Sequence, residues 1–259
     1  MTLLPECPAD SASTSEWVGY GELRAGAMFG EELSGYFALS RDVINAAGQL
    51  VERVSDRPGE PKAIHVAALL LARITTELAA CVQLLRLGYA AQAITLVGTM
   101  LELTHVLAFM ADDESRAAEW AAWDKPTRTY PGPLLETIKA TSLAFGGNED
   151  AVRREYEIIY RQICQIKHGN TLALHLPNAA VLADYHCIVI GPLITNDFRR
   201  LGYAAIQWAI RYAILAETAF IRYHVTAESW DALYAQQTEL SERHAALTAQ
   251  LAARLSAKE

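Results

Sequence analysis

An arginine and a histidine close a helical stretch of this chain, Tyr160-Arg161-Gln162-Ile163-Cys164-Gln165-Ile166-Lys167-His168-Gly169-Asn170, seven positions apart and just before a glycine stop. Seven residues are about two helical turns, so both side chains leave one face, roughly 10 Å apart along the axis. Arg161 is a permanent, planar cation suited to holding phosphate. His168 is an imidazole that titrates near neutral pH and can carry a proton. Converging on one anion, they supply a minimal kit for phosphodiester chemistry. The same residues also have a purely local account. Glu157 precedes Arg161 by four positions, the spacing of an ordinary helical ion pair. His168 in the last turn, when protonated, favours the negative end of the helix dipole.

Other groups compete for a chemical role. Glu102 and His105 form a Glu-x-x-His on an apolar helix, half of the ligand set of a di-iron bundle. No second copy exists, though Glu77 and Glu217 could contribute further carboxylates. The expected role of Glu102 is therefore a buried charge paired with an arginine, with Arg73, Arg86 and Arg161 as candidates. His168, His175, His186 and Asp184 match no compact zinc spacing and have no cysteine pair beside them. Trp120 and Trp123, three apart, read as core or interface residues. No glycine-rich phosphate loop, nucleophile elbow or H-E-x-x-H is present. No metal and no cofactor are expected.

The elements that must hold these residues are helical. The chain has 259 residues, 52% apolar and 20% charged, which suits a folded protein with a substantial core. Apolar residues recur at three- and four-residue spacing through 22–54, where Gly35 and Gly48 invite a break into two helices. A second helix ends at Leu87, with Gly88 placed to stop it. Residues 89–110 are apolar on nearly every face, the mark of a central helix. Gln92, Glu102 and His105 within it argue against a membrane span. Asp112 and Asp113 can cap a short helix, 125–133 is a proline-rich loop, and Asn148 caps the helix carrying Arg161 and His168. Pro177, Gly191 and Pro192 break the pattern near 171–195, with an extended run at 185–190. A long last helix carries Leu233, Leu240, Leu247 and Leu251 in one stripe, with Gln237 and His244 at the other seam positions.

The predicted fold is thus an all-α, multi-helix bundle with an irregular segment near 171–195 and a long C-terminal helix. Residues 1–17 read as a mobile tail, 18–225 as the bundle domain, and 226–259 as a helix packing on the bundle or on a partner. The formal charge of −8 counts against broad nucleic-acid binding, though not against a small basic cleft. The four cysteines are scattered, and Cys81, Cys164 and Cys187, in apolar runs, read as small buried residues, which fits a reducing cytoplasm. The first residues lack a basic start and an apolar core, so no signal peptide is expected.

Two resemblances follow from particular stretches. Leu85-Arg86-Leu87-Gly88-Tyr89-Ala90-Ala91-Gln92-Ala93, leading to Met100-Leu101-Glu102, with Tyr156, Tyr160 and His168 further on and then 185–192, resembles a family of uncharacterised bacterial all-helical proteins. Arg161, Gln162 and His168 resemble the HEPN superfamily motif of an arginine, a polar neighbour, a short spacer and a histidine. That resemblance implies a metal-independent ribonuclease of toxin or phage-defence type. Arg161 would hold the scissile phosphate, and His168 would transfer a proton as the ribose 2′-OH attacks. Lys167, Asn170 and Tyr160 are the candidate binding residues. The implied partners are RNA, a protein partner or antitoxin, and a second copy of the chain in a homodimer. The other reading is a non-catalytic helical interaction module in which Arg161 and His168 serve the structure.

Overall fold

A computed structural model describes residues 8–9, 12–55, 62–110, 113–122, 134–144, 147–167, 179–182, 185–188, 192, 196–224 and 227–256. The chain is an all-α multi-helix bundle. Its helices are α1 (Thr14–Glu32), α2 (Ser34–Ser55), α3 (Lys62–Arg86), α4 (Ala90–Met110), α5 (Glu114–Ala121), α6 (Leu134–Ala144), α7 (Glu149–Glu155) and α8 (Arg161–Lys167), followed by α9 (Asn196–His224) and α10 (Ala227–Ser256). A π-turn, Tyr156–Tyr160, joins α7 to α8. Between α8 and α9, strands β1 (Ala179–Leu182) and β2 (Tyr185–Ile188) pair antiparallel, with Leu182 opposite Tyr185. The break in helical pattern near 171–195 thus contains a short hairpin.

Helix α4 is the axis. Every residue in 104–110 is buried, because α3 and α9 pack along it while α6 and α8 close its remaining sides. The windows of α3 and α4 are long and apolar enough to cross a bilayer, with mean hydropathy 1.6. In the bundle 50% and 67% of these windows are covered by other helices. The amphipathic α2 and α9 lay apolar stripes on this centre, with Leu39, Leu50, Ile206 and Phe220 fully buried.

The local stops have identifiable causes. Gly88 adopts φ +83°, and its N–H donates to Leu85 O while that of Tyr89 donates to Leu84 O, a Schellman ending for α3. The expected break between the first two helices falls at Leu33 rather than at a glycine. Gly48 lies inside α2, and Gly35 serves close packing instead: a Cβ there would sit 2.7 Å from Leu247 of α10. Residues 14–17, expected in the tail, form the first turn of α1. The Ser13 N–H donates to the Glu16 carboxylate at 2.7 Å, which fixes that start. Helix α10 packs on α9 and α2 through Leu233, Leu240 and Leu251, all buried. The expected loop at 125–133 lies outside the described residues.

Candidate functional site

The rod formed by α7, the π-turn and α8 lies against α4 and brings together features far apart in the chain. Asn148 begins it by accepting the Ala151 N–H at 3.0 Å, and Glu149 and Asp150 suit the positive end of its dipole. Farther along, Ile163 of α8 presses onto Gly98 of α4, where a Cβ would come within 2.7 Å of Ile163 Cγ2. Between these fixed ends one turn widens to i→i+5 bonding, a form common at functional sites. The widening stacks Tyr156 on Tyr160, ring centroids 4.7 Å apart and planes at 22°.

These tyrosines meet the Glu-x-x-His of α4. Tyr160 donates its hydroxyl to Glu102 Oε1 at 2.7 Å. Tyr156 meets the His105 ring edge-to-face at 5.3 Å. The hydrogen bond to the Glu102 carboxylate, then burial, pushes the Tyr160 phenol well above its usual range. Burial first, then the Glu102 charge, pushes Tyr156 up to about 12. Both phenols are neutral donors at physiological pH.

The expected arginine partner for Glu102 is replaced by this phenol. Arg73 pairs instead with Glu77 on its own helix, and Arg86 lies 5.2 Å over the Phe37 ring. Glu102 is half-buried at the edge of α4, so a neutral donor suffices where a fully buried charge would need a cation. The carboxylates of Glu77 and Glu217 do not converge on it: Glu77 pairs with Arg73, and Glu217 accepts from Gln237. Among the described residues, no group of three or more His, Cys, Asp or Glu is placed to hold a metal ion.

Arg161 opens α8 with an exposed side chain. The pair with Glu157 does not form. Both side chains are exposed, where such a pair gains little against the entropy of ordering two long side chains. Arg161 makes no ion pair among the described residues. His168 and Asn170 lie outside the described residues, as does the side chain of Lys167. Cys164, expected to be buried, is only half-buried near Tyr160, whereas Cys81 is fully buried and its thiol is pushed up to about 12 by burial and Glu77. Trp120 packs half-buried against the core, and Trp123 is outside the described residues. Of the zinc candidates, His168, His175 and Asp184 are outside them, and His186 is described by backbone alone.

Beside the Tyr156–His105 contact lies a cavity of about 370 Å³ between α4, α6, α7, α9 and α10. Glu155 and Arg211 form one side, with Arg211 Nε and Nη2 3.1 and 2.5 Å from the carboxylate. Tyr212 donates to the same carboxylate at 3.2 Å. His105 Nδ1 lies 2.9 Å from Leu101 O, and its Nε2 is buried with no partner. A carbonyl only accepts, so Nδ1 carries the hydrogen and Nε2 is a bare lone pair. Burial holds His105 at about 4, well below the usual imidazole value, so the ring is neutral near pH 7. His244, on α10, donates Nε2–H to Gln207 O at 3.0 Å, and burial lowers its value too. Val152, Ile214 and Leu215 supply apolar wall.

Sequence reasoning had no handle on Glu155, Arg211 and Tyr212 as one unit. Glu155 meets Arg211 across 56 positions, and neither sits in a local motif. A second concavity, a groove of about 690 Å³ bounded by α1, α2 and α3, is lined by Gly26, Gly30, Phe37 and Arg86. None of the buried polar atoms without a partner lies along it. No protein-family model, no curated protein and no solved structure matches this chain.

Proposed function

We propose that the chain is a non-catalytic helical binding module whose ligand seat is the cavity beside His105. The observation that carries this reading is a cavity of about 370 Å³ walled by five helices, with the Glu155–Arg211–Tyr212 cluster on one side and Val152, Ile214 and Leu215 on the other. The cavity falls in the size range of small-molecule pockets, roughly 300–1,000 Å³. Ser241 stands exposed at its α10 wall, so Ser241→Trp should plug it without disturbing the core. A chemically diverse fragment set should contain compounds that raise the melting temperature of the natural chain but not of Ser241→Trp. If none does, or if the plugged variant responds equally, the cavity is not a ligand seat.

A second reading, metal-independent RNA cleavage by Arg161 and His168, draws support from one observation. Arg161 is exposed and free of the ion pair its spacing with Glu157 suggested. Purified protein in EDTA should then cleave RNA, and Arg161→Ala and His168→Ala should each abolish cleavage while leaving the melting temperature unchanged. Cleavage that survives His168→Ala, or that requires a divalent metal, rules this mechanism out.

A further inference from the structure

We propose that the cavity between α4, α6, α7, α9 and α10 takes a compact, uncharged, mainly apolar molecule bearing a carbonyl-type hydrogen-bond acceptor, which the Ser142 hydroxyl and the Asn148 amide receive. This rests on reading the cavity as a ligand seat and adds the chemistry of what fills it.

The chemistry follows from which hydrogen-bonding groups in the wall are already used. Ser142, in the last turn of α6, lines the cavity and is only 3% exposed. Its hydroxyl makes no hydrogen bond among the described residues, and unlike His105 Nε2 it is not sealed off by burial. Gly147, at φ +86°, donates its N–H to Ser142 O at 2.7 Å, so the chain turns back there and sets Asn148 close to Ser142. Asn148 Oδ1 accepts the Ala151 N–H, which fixes the amide orientation and leaves the Nδ2 hydrogens unused. Arg211 gives Nε and Nη2 to Glu155, which leaves Nη1 as a further donor. Glu155 already receives those two bonds and the Tyr212 hydroxyl. The hydroxyl hydrogens of Thr104 and Thr141 are directed at the carbonyls of Tyr212 and Thr137. Asn148 Nδ2 and Arg211 Nη1 can only donate, so they cannot satisfy one another. Buried donors without a partner are rarer in folded proteins than unused carbonyl lone pairs, so the complement this end of the cavity lacks is an acceptor.

Charge and surface narrow the class. Arg211 and Glu155 neutralise each other, and burial lowers both His105 and His244, so the two rings are neutral near pH 7. An ion would lose its hydration with no net charge to meet it. Val152, Ile214 and Leu215 call for apolar bulk. A ketone, ester or tertiary amide with a hydrocarbon body meets both demands, its oxygen at the Ser142 end and its body on the aliphatic side.

The test uses the full chain and three probes of nearly one shape: acetophenone, α-methylstyrene and benzoate. α-Methylstyrene replaces the carbonyl oxygen by a methylene group, and benzoate carries a charge. Water hydrates the ketone more strongly than the alkene, so the informative quantity is the effect of Ser142→Ala on each, measured by titration calorimetry. Ser142→Ala should weaken acetophenone about fivefold, the factor expected for one hydrogen bond, and change α-methylstyrene by less than about twofold. Ser241→Trp should remove binding of both. If Ser142→Ala does not fold, the natural chain still decides: the infrared carbonyl stretch of bound, 13C-labelled acetophenone should lie below its value in hexane. Equal effects of Ser142→Ala on the two probes, both blocked by Ser241→Trp, would overturn the donor assignment and leave the ligand seat standing. A bound carbonyl stretch at the hexane value would overturn it likewise. Benzoate binding more tightly than acetophenone would overturn the uncharged ligand. No binding of acetophenone to the natural chain, or binding that persists in Ser241→Trp, would overturn the carbonyl-class ligand. The diverse fragment set then decides separately whether the seat exists.

Discussion

Tyr160 and Glu102 show how one hydroxyl can settle a half-buried carboxylate. Their hydrogen bond spans 58 positions and ties the π-turn to the central helix. Removing the donor leaves Glu102 with poorer solvation than it had. Tyr160→Phe is expected to cost about 1 kcal/mol, read as a lower urea midpoint at unchanged slope. In a double-mutant cycle with Glu102→Ala, a coupling of similar size is expected, and strict additivity would show that the contact contributes nothing. His105 has a different role. Its Nδ1 is anchored to its own helix, and its Nε2 is a buried acceptor without a donor.

At the scale of elements, two helix junctions carry testable weight. Helix α8 rests on α4 only because Gly98 has no side chain to meet Ile163. Ile163 is buried and branched at Cβ, so it has little room to yield. Gly98→Ala is expected to destabilise by about 1–3 kcal/mol despite the better helix propensity of alanine. A rise in melting temperature would show that α8 can slide instead. The second junction is α9 on α10. Gln237 Nε2 donates to Glu217 Oε2 at 2.6 Å, while Glu217 Oε1 and Gln237 Oε1 are both buried without a donor. One proton on Glu217 supplies the donor the pair lacks. Burial raises the Glu217 carboxyl from 4.5 to about 8, against the opposing effect of the Gln237 bond, so the acid is neutral near pH 7. Glu217→Gln carries a permanent N–H donor and should be more stable than the natural chain above pH 8. Melting curves at pH 6 and pH 9 check this.

For the whole molecule, two buried groups pull the pH profile in opposite directions. Glu217 has a raised value in the fold, so its contribution is fully present below 4.5 and lost as pH rises through about 8. His105 has a lowered value, so its contribution is present above 6.5 and lost as pH falls through about 4. Between 4.5 and 6.5 their slopes offset, and above 6.5 that of Glu217 stands alone. Stability is therefore expected to decline from pH 6.5 toward 9 in the natural chain, and this decline should flatten in Glu217→Gln. The long last helix adds a third term. Leu240 is buried against the bundle, and Leu240→Ala is expected to cost about 2–5 kcal/mol, measured by urea denaturation. A change below 1 kcal/mol would mean that α10 contributes little to the folded bundle.

What the sequence determined by itself is mostly local. The 3.6-residue spacing of apolar positions specified helices, Gly88 and Asn148 fixed where two of them stop and start, and the apolar run in α4 marked the centre. These signals lie within one or two turns, where backbone sterics and burial act directly on neighbouring residues. The Glu-x-x-His of α4 and the tyrosines before Arg161 were also visible, but not that they touch. Tertiary structure decided that Glu102 takes a phenol rather than a guanidinium and that Arg161 loses Glu157. It also decided that Glu155, Arg211 and Tyr212 close a cavity with His105 and His244 in its wall. The physical reason is common to all three. Local spacing alone does not hold an exposed ion pair, the donor that reaches Glu102 comes from a distant helix, and a cavity exists only where helices distant in sequence fail to fill the space between them.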